Sequence, residues 1–162
     1  MPMATTRTEA DACALLDADH KAVKKLFKAY DELAHSHARD VAQKKLELAR
    51  EICRELTAHA TIEEEIFYPA LRNAMKDTEA LAEAEVEHAG AKDLIAQIEA
   101  LDEVDEMFDA KVKVLSEYID HHVKEERNQI FPKARAARSL DLIAMREELQ
   151  GRKEELMNMA EA

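Results

Sequence analysis

The chain has 162 residues, with 35 acidic side chains against 23 basic ones and a formal net charge of −12; 47% of it is hydrophobic, and it holds two Gly, three Pro and no Trp. That length fits one domain with one core. The abundance of Ala, Glu, Leu, Lys and Arg is a helical composition, and an acidic chain has no attraction for nucleic-acid phosphates or anionic lipid. The expectation is therefore no nucleic acid and no membrane as partner. There is no apolar run of about 18 residues, as a membrane span needs. The start "MPMATTRTEADAC" lacks the basic-then-apolar pattern of a signal peptide, so a cytoplasmic protein is expected. Cys13 and Cys53 form no C-x-x-C site and read as buried thiols in a reducing compartment, with a redox role as the minority reading.

Helical periodicity predicts five segments. The first covers about 9–35, with Leu16, Val23, Phe27 and Tyr30 on one face. The polar break "HSHARD" follows, with His35 and His37 read as solvated. The second covers about 41–75, with Ile52, Leu56, Ile66 and Phe67 inward, and ends before "KDTE", where Thr78 is a candidate cap. The third covers about 79–101, with Leu81, Ile95 and Ile98 inward. After the acidic turn "DEVDE" the fourth covers about 107–137, with Phe108, Val112, Leu115 and Ile119 inward. Ser139 reads as the cap of a fifth segment, to about 159. Four long helices with short connections predict an all-α, up-down-up-down four-helix bundle over 9–138, with an additional C-terminal helix over 139–162. Leu142, Met145, Leu149 and Leu156 of that helix keep roughly helical spacing. They are expected to pack on the bundle or on a second copy, which makes the helix the candidate surface for a homo-oligomer.

Two stretches repeat one pattern. "HATIEEEIFYP" (59–69) and "HVKEERNQIFP" (122–132) each carry a His, a Glu four residues on, and a Pro ten residues after the His. Pro69 and Pro132 fall late in their helices and are expected to kink or end them. The four segments form a weak two-fold repeat. His20, His59, His88 and His122 each stand three, four or seven residues from apolar core positions, so each helix points one histidine inward. Glu63 and Glu126 follow two of them by four and point the same way. One such His is more often a hydrogen-bonded core residue than a ligand. Four, with two matching carboxylates and no core Lys or Arg beside them, favour a metal: a carboxylate buried alone costs several kcal/mol, roughly. Imidazole and carboxylate suit iron, manganese or zinc. Six ligands exceed one structural zinc and suit two metals bridged by the carboxylates.

"DHKAVKKLF", "HATIEEEIFYP", "EHAGAKDLI" and "HHVKEERNQIFP", in this order, resemble the four helix motifs of the hemerythrin-like HHE cation-binding family over about residues 15–135. The resemblance implies two iron ions in a non-haem di-iron centre. His20, His59, Glu63, His88, His122 and Glu126 fall on the family's ligand positions. It implies a protein that binds or reacts with a small diatomic ligand or peroxide: O2, peroxide or nitric oxide. The alternative is an iron- or oxygen-sensing or storage module acting through a protein partner, and the catalytic question stays open at this level. Ferritin-like bundles use Glu-x-x-His; here only Glu85 and His88 keep that order, and Glu85 reads as an outer or surface group. The oxygen-carrying members place another His where this chain has Lys92, so one coordination position is short of a ligand. Lys92 is expected to swing to solvent or to a carboxylate such as Glu85 or Glu126. Tyr118, one turn before His122, is the protein candidate for that position, its competing reading being a core aromatic. His121 is open between hydrogen-bonding a ligand, lying at a helix interface and binding metal. Glu64, Glu65 and Glu125 read as a wet face.

Overall fold

The computed structural model describes residues 10–34, Ser36 and 39–161. Residues 1–9, where the leader reading and the start of the first helix fall, and His35 and His37 lie outside the described residues. The described chain is helical throughout: α1 (Ala12–Leu33), α2 (Val41–Ile62), a π-helical segment π1 (Glu63–Phe67), α3 (Tyr68–Ala74), α4 (Glu79–Glu99), α5 (Glu106–Glu125), π2 (Glu126–Ile130), α6 (Phe131–Ala136) and α7 (Leu142–Glu161). Each of the four bundle helices packs on two others: α1 on α2 and α5, and α4 on α2 and α5. This is the expected four-helix bundle with one added helix.

Local chemistry sets the ends. Asp11 caps α1 through Ala14 N–H at 2.9 Å, and Asp105 caps α5 through Phe108 N–H at 2.9 Å. Such caps satisfy amides that a helix start leaves unpaired. Thr78 holds the N-cap position of α4 but makes no side-chain cap bond, and the Ser139 cap is corrected. Asp77, not Thr78, takes the Glu79 N–H at 3.1 Å, and Asp141, not Ser139, takes Ala144 N–H at 3.0 Å. In both places a carboxylate reaches the amides better than the hydroxyl nearby.

The prolines do not end the helical path, which runs on as α3 and α6. Before each one the backbone widens into a π turn: Tyr68 N–H bonds the Glu63 carbonyl, and Phe131 N–H bonds the Glu126 carbonyl. The wider turn accommodates a residue that lacks an N–H and crowds the preceding turn. It also moves the residue five after each Glu onto the face that carries the Glu.

Apolar residues gather in two clusters with the histidine level between them. One includes Leu16, Ile62, Phe67, Ala84, Ile130 and α7's Leu142, Met145 and Leu149; the other includes Val23, Phe27, Ile52, Leu56, Ile95 and Leu115. α7 lies across α1 and α2. Its apolar stripe is thus buried within the chain itself, and Leu156 packs at its edge. Cys13 and Cys53 are free and buried, in separate clusters.

Candidate metal centre

Each of the four long helices carries one histidine between an apolar residue of one cluster and an apolar residue of the other, so the imidazoles meet at one level of the bundle. His20, His59, His88 and His122 are each 6% exposed, and Glu63 and Glu126 are 0% exposed. The His20 and His59 ring centres stand 4.7 Å apart, and those of His88 and His122 stand 4.8 Å apart. Two groups of converging ligand atoms result, each with its atoms within 4.8 Å of one another: His20, His59, Glu63 and Glu126, and Glu63, His88, His122 and Glu126. All six residues singled out in the sequence are brought together, and both carboxylates belong to both groups.

The imidazoles face inward through Nε2. His59 Nε2 lies 2.5 Å from Glu63 Oε1, His122 Nε2 touches Glu126 Oε1, and His20 Nε2 lies 3.7 Å from that same oxygen. On the outer side each Nδ1 meets a carboxylate that sequence reasoning missed. His59 faces Asp19 at 3.1 Å and His122 faces Glu87 at 3.4 Å. At longer range His20 faces Asp17 at 3.7 Å and His88 faces Glu64 at 3.8 Å. Three of these carboxylates are closed from behind by a fixed cation: Asp17 by Arg127 at 2.6 Å, Asp19 by Lys153 at 2.7 Å and Glu64 by Lys92 at 2.5 Å. Glu87 instead meets His121, at 3.4 Å. Carboxylates on the far ring nitrogen orient metal-binding histidines and raise their basicity.

Charge at the centre is unbalanced in the bare protein. Burial pushes His20 down to about 3, helped by the neighbouring His59, and lowers His88 as well. Burial opposes the charged form of His59 and His122 too, but Glu63 with Asp19 lifts the first to about 10, and Glu126 with Glu87 lifts the second to about 11. Burial raises Glu126 to about 8, with the Glu63 charge adding to it; Glu63 is held well below the usual carboxylate range, because the adjacent histidines outweigh its burial. Glu63 Oε2, Glu126 Oε2 and both His20 nitrogens are buried without a hydrogen-bond partner. Buried polar atoms normally have partners. Nitrogen and carboxylate donors crowded at one level and unpaired are the donor set that borderline divalent cations take, so these residues fit a resident metal.

Tyr68, not Tyr118, enters this cluster. Its fully buried hydroxyl lies 3.4 Å from His88 Nε2, 3.3 Å from His122 Nε2 and 3.3 Å from Glu126 Oε1, to which it donates. Tyr118 is 42% exposed. It leans on Gly90, where an added Cβ would stand 3.2 Å from its Cε1. Lys92 turns to Glu64 rather than to Glu85 or Glu126, so Glu64 is half-buried and paired rather than simply wet. Glu85 is a surface partner of Arg72 at 2.8 Å. Glu65 holds Arg152 of α7 at 2.8 Å. His121 is exposed and lies outside the core groups, between Glu87 and Glu125. A cavity of about 30 Å³ touches His20, His59, Glu63, His88 and His122, with Leu56, Ala60, Ala91, Ile95 and Ile119 as its apolar wall and Tyr118 and Lys92 at its edge.

A helical bundle whose core level is a buried histidine and carboxylate cluster defines a cation-binding bundle. Residues 11–134 match the Hemerythrin HHE cation binding domain, and the chain belongs to that family. Its fold is shared with the crystal structure of a hemerythrin HHE cation binding domain-containing protein from Mycobacterium kansasii: the TM-score is 0.74 at 21% identity, over 92% of this chain and 88% of that one. The chain is also similar to a protein named DNA nickase from Nostoc sp. (strain PCC 7120), with 34% identity over 115 residues; that stretch is 70% of this chain and 30% of the Nostoc protein, so the chain spans under a third of that protein's length.

Proposed function

We propose that the centre holds two iron ions, one on His20 and His59 and one on His88 and His122, with Glu63 and Glu126 bridging. The observation that carries this reading is the pair of four-residue groups sharing both carboxylates. An iron pair supplies reversible electron transfer to a bound small oxidant, and O2, peroxide and nitric oxide are the substrates of that class. The remaining chemistry belongs to the chain. Asp17, Asp19, Glu64 and Glu87 orient the four imidazoles. Tyr68 brings a phenol oxygen to the His88 and His122 side, the side on which Lys92 replaces a further histidine. The small apolar-walled cavity has room for about one or two waters, which suits a diatomic molecule or peroxide and excludes larger substrates.

Residues 9–138 form the metal-binding unit in this reading, and 139–162 form an extension beyond the family match. Free buried thiols suit a cytoplasmic setting. A sensing or storage role through a protein partner is the second reading, favoured by the link from α7 through Lys153 and Asp19 to His59. DNA nicking is not carried over from the Nostoc protein, because the net charge of −12 opposes a phosphate backbone. The test is metal analysis of the full chain purified after expression with iron supplied. About two irons per chain are expected, in line with a two-metal site. No iron, or a single tightly held zinc, overturns the reading.

A further inference from the structure

Glu87, His121 and Glu125 stand one residue before His88, His122 and Glu126 on the same two helices. They face outward where their neighbours face inward. His121 Nε2 lies 3.4 Å from Glu87 Oε2 and 3.2 Å from Glu125 Oε1, and the three offer ligand atoms within 4.8 Å of one another. The other oxygen of Glu87 lies 3.4 Å from Nδ1 of the core residue His122. One carboxylate therefore touches both the outer trio and the inner ligand set.

The internal two-fold repeat says what is unusual here. Asp19 precedes His20 as Glu87 precedes His88, and Asp19 supports His59 as Glu87 supports His122. Behind Asp19 stands the ammonium of Lys153, brought by α7. The repeat counterparts of His121 and Glu125 in the first half are Ala58 and Ile62, both buried. In the second half that face is polar: His121 is exposed and Glu125 is half-buried. Each of the other three outer carboxylates is closed by a Lys or Arg; this one meets an imidazole and a second carboxylate. Glu87 and Glu125 flank His121 Nε2 on either side. Imidazole with two carboxylates, all three offering ligand atoms within 4.8 Å of one another, is a borderline-metal donor set.

We infer that Glu87, His121 and Glu125 form a second, solvent-facing site for a divalent transition-metal cation, one that loads the buried centre. The site itself stands whatever the core holds; the loading role rests on the iron reading above. The core ligands are almost wholly shielded from solvent, so an incoming ion exchanges its water for protein ligands on the way in, and Glu87 is the side chain shared by the two stations.

The test compares the full wild-type chain with His121→Lys and with the double variant His121→Ala/Glu125→Gln. Iron-loaded protein is titrated with zinc against a chromophoric chelator. Wild type is expected to take up one zinc ion more than either variant, with affinity reduced at least about tenfold in the variants. His121→Lys places an ammonium behind Glu87, as Lys153 stands behind Asp19, so its melting temperature and core iron content should match wild type. Equal zinc uptake by all three proteins overturns the site. Stopped-flow uptake of ferrous ion by the metal-free chains tests the loading role. The initial rate should fall about tenfold in the variants while the final iron content stays equal, and unchanged rates overturn that role. Absence of core iron in every protein would overturn the di-iron reading instead, and the zinc difference would still report on the outer site.

Discussion

Lys153 of α7 lies 2.7 Å from Asp19 of α1. The other oxygen of Asp19 lies 3.1 Å from His59 Nδ1, so a residue outside the family match positions a core histidine. The sequence presents 139–162 as a helix without ligands that packs on the bundle; the structure adds that it supports the carboxylate beside a core histidine. Leu142, Met145 and Leu149 close the same apolar cluster as Leu16 and Ile62, one turn from His20 and His59.

Lys153→Ala should therefore destabilise the iron-loaded chain by about 1–2 kcal/mol, the range of a charge-assisted hydrogen bond with a partly shielded partner. The same change at the exposed Lys113 should be close to neutral. Thermal melts of the loaded proteins check this. Removal of everything after Arg138 should lower iron affinity as well as solubility; full iron retention by the shortened chain would show that Asp19 holds His59 without help.

The two shared carboxylates make different demands from the histidines. Glu63→Ala or Glu126→Ala removes a donor from both four-residue groups, whereas His20→Ala removes one from a single group. Iron per chain should fall to near zero for either glutamate variant and to about one for His20→Ala, since loss of a bridge unties both members of a two-metal site. Equal losses in all three would mean that the carboxylates do not bridge.

The histidine level was legible in the sequence because periodicity alone fixes it: His20, His59, His88 and His122 share stripes with core apolar residues, and a Glu four residues on shares that stripe. The supporting carboxylates were not legible. Asp19 neighbours His20 in the chain but serves His59, and Glu87 neighbours His88 but serves His122. Successive helical residues diverge by about 100°, so each side chain reaches the next helix rather than its chain neighbour. Tyr118 was singled out by four-residue spacing, yet an expected stripe does not fix depth, and the ring lies at the exposed edge over Gly90. The visible signal for the widened turns was a proline ten residues after each histidine inside an otherwise helical pattern.

Alkaline pH should destabilise the fold through its thiols. Burial, with the Asp11 charge adding to it, raises Cys13 to about 12, and burial with Glu99 raises Cys53 to about 12, from the ordinary 9.0. A group whose pKa is raised by folding stabilises below its unfolded value and loses that contribution as pH climbs to the folded value. The window is therefore about pH 9 to about 12, with a slope of at most about 1.4 kcal/mol per pH unit for each thiol. Urea midpoints of wild type and Cys13→Ala/Cys53→Ala should converge across that window. Iodoacetamide should leave both thiols unmodified in the folded chain near neutral pH, in keeping with buried, protonated sulfur.

Tyr68 and Phe131 occupy the same place in the repeat, each five residues after a buried core glutamate and each bonded back to it across a π turn. Their rings differ by one hydroxyl, and the two halves of the centre differ accordingly. Phe131 stacks on His20 with ring centres 6.2 Å apart, while Tyr68 sets its oxygen among His88, His122 and Glu126. In the bare protein burial holds the phenol protonated, reinforced by the charges of Glu63 and Glu126. If iron binds there, its charge would outweigh the carboxylates and favour the Tyr68 phenolate. Phenolate on ferric iron absorbs in the visible. Oxidised wild type should therefore show a band that Tyr68→Phe removes while both irons stay bound, and Tyr118→Phe should leave the band in place. Phe131→Tyr should add a second phenol to the His20 and His59 side and strengthen or shift the absorption. Should Tyr68→Phe keep the band and Tyr118→Phe abolish it, the exposed tyrosine swings inward on loading, and the position beside Lys92 belongs to it instead.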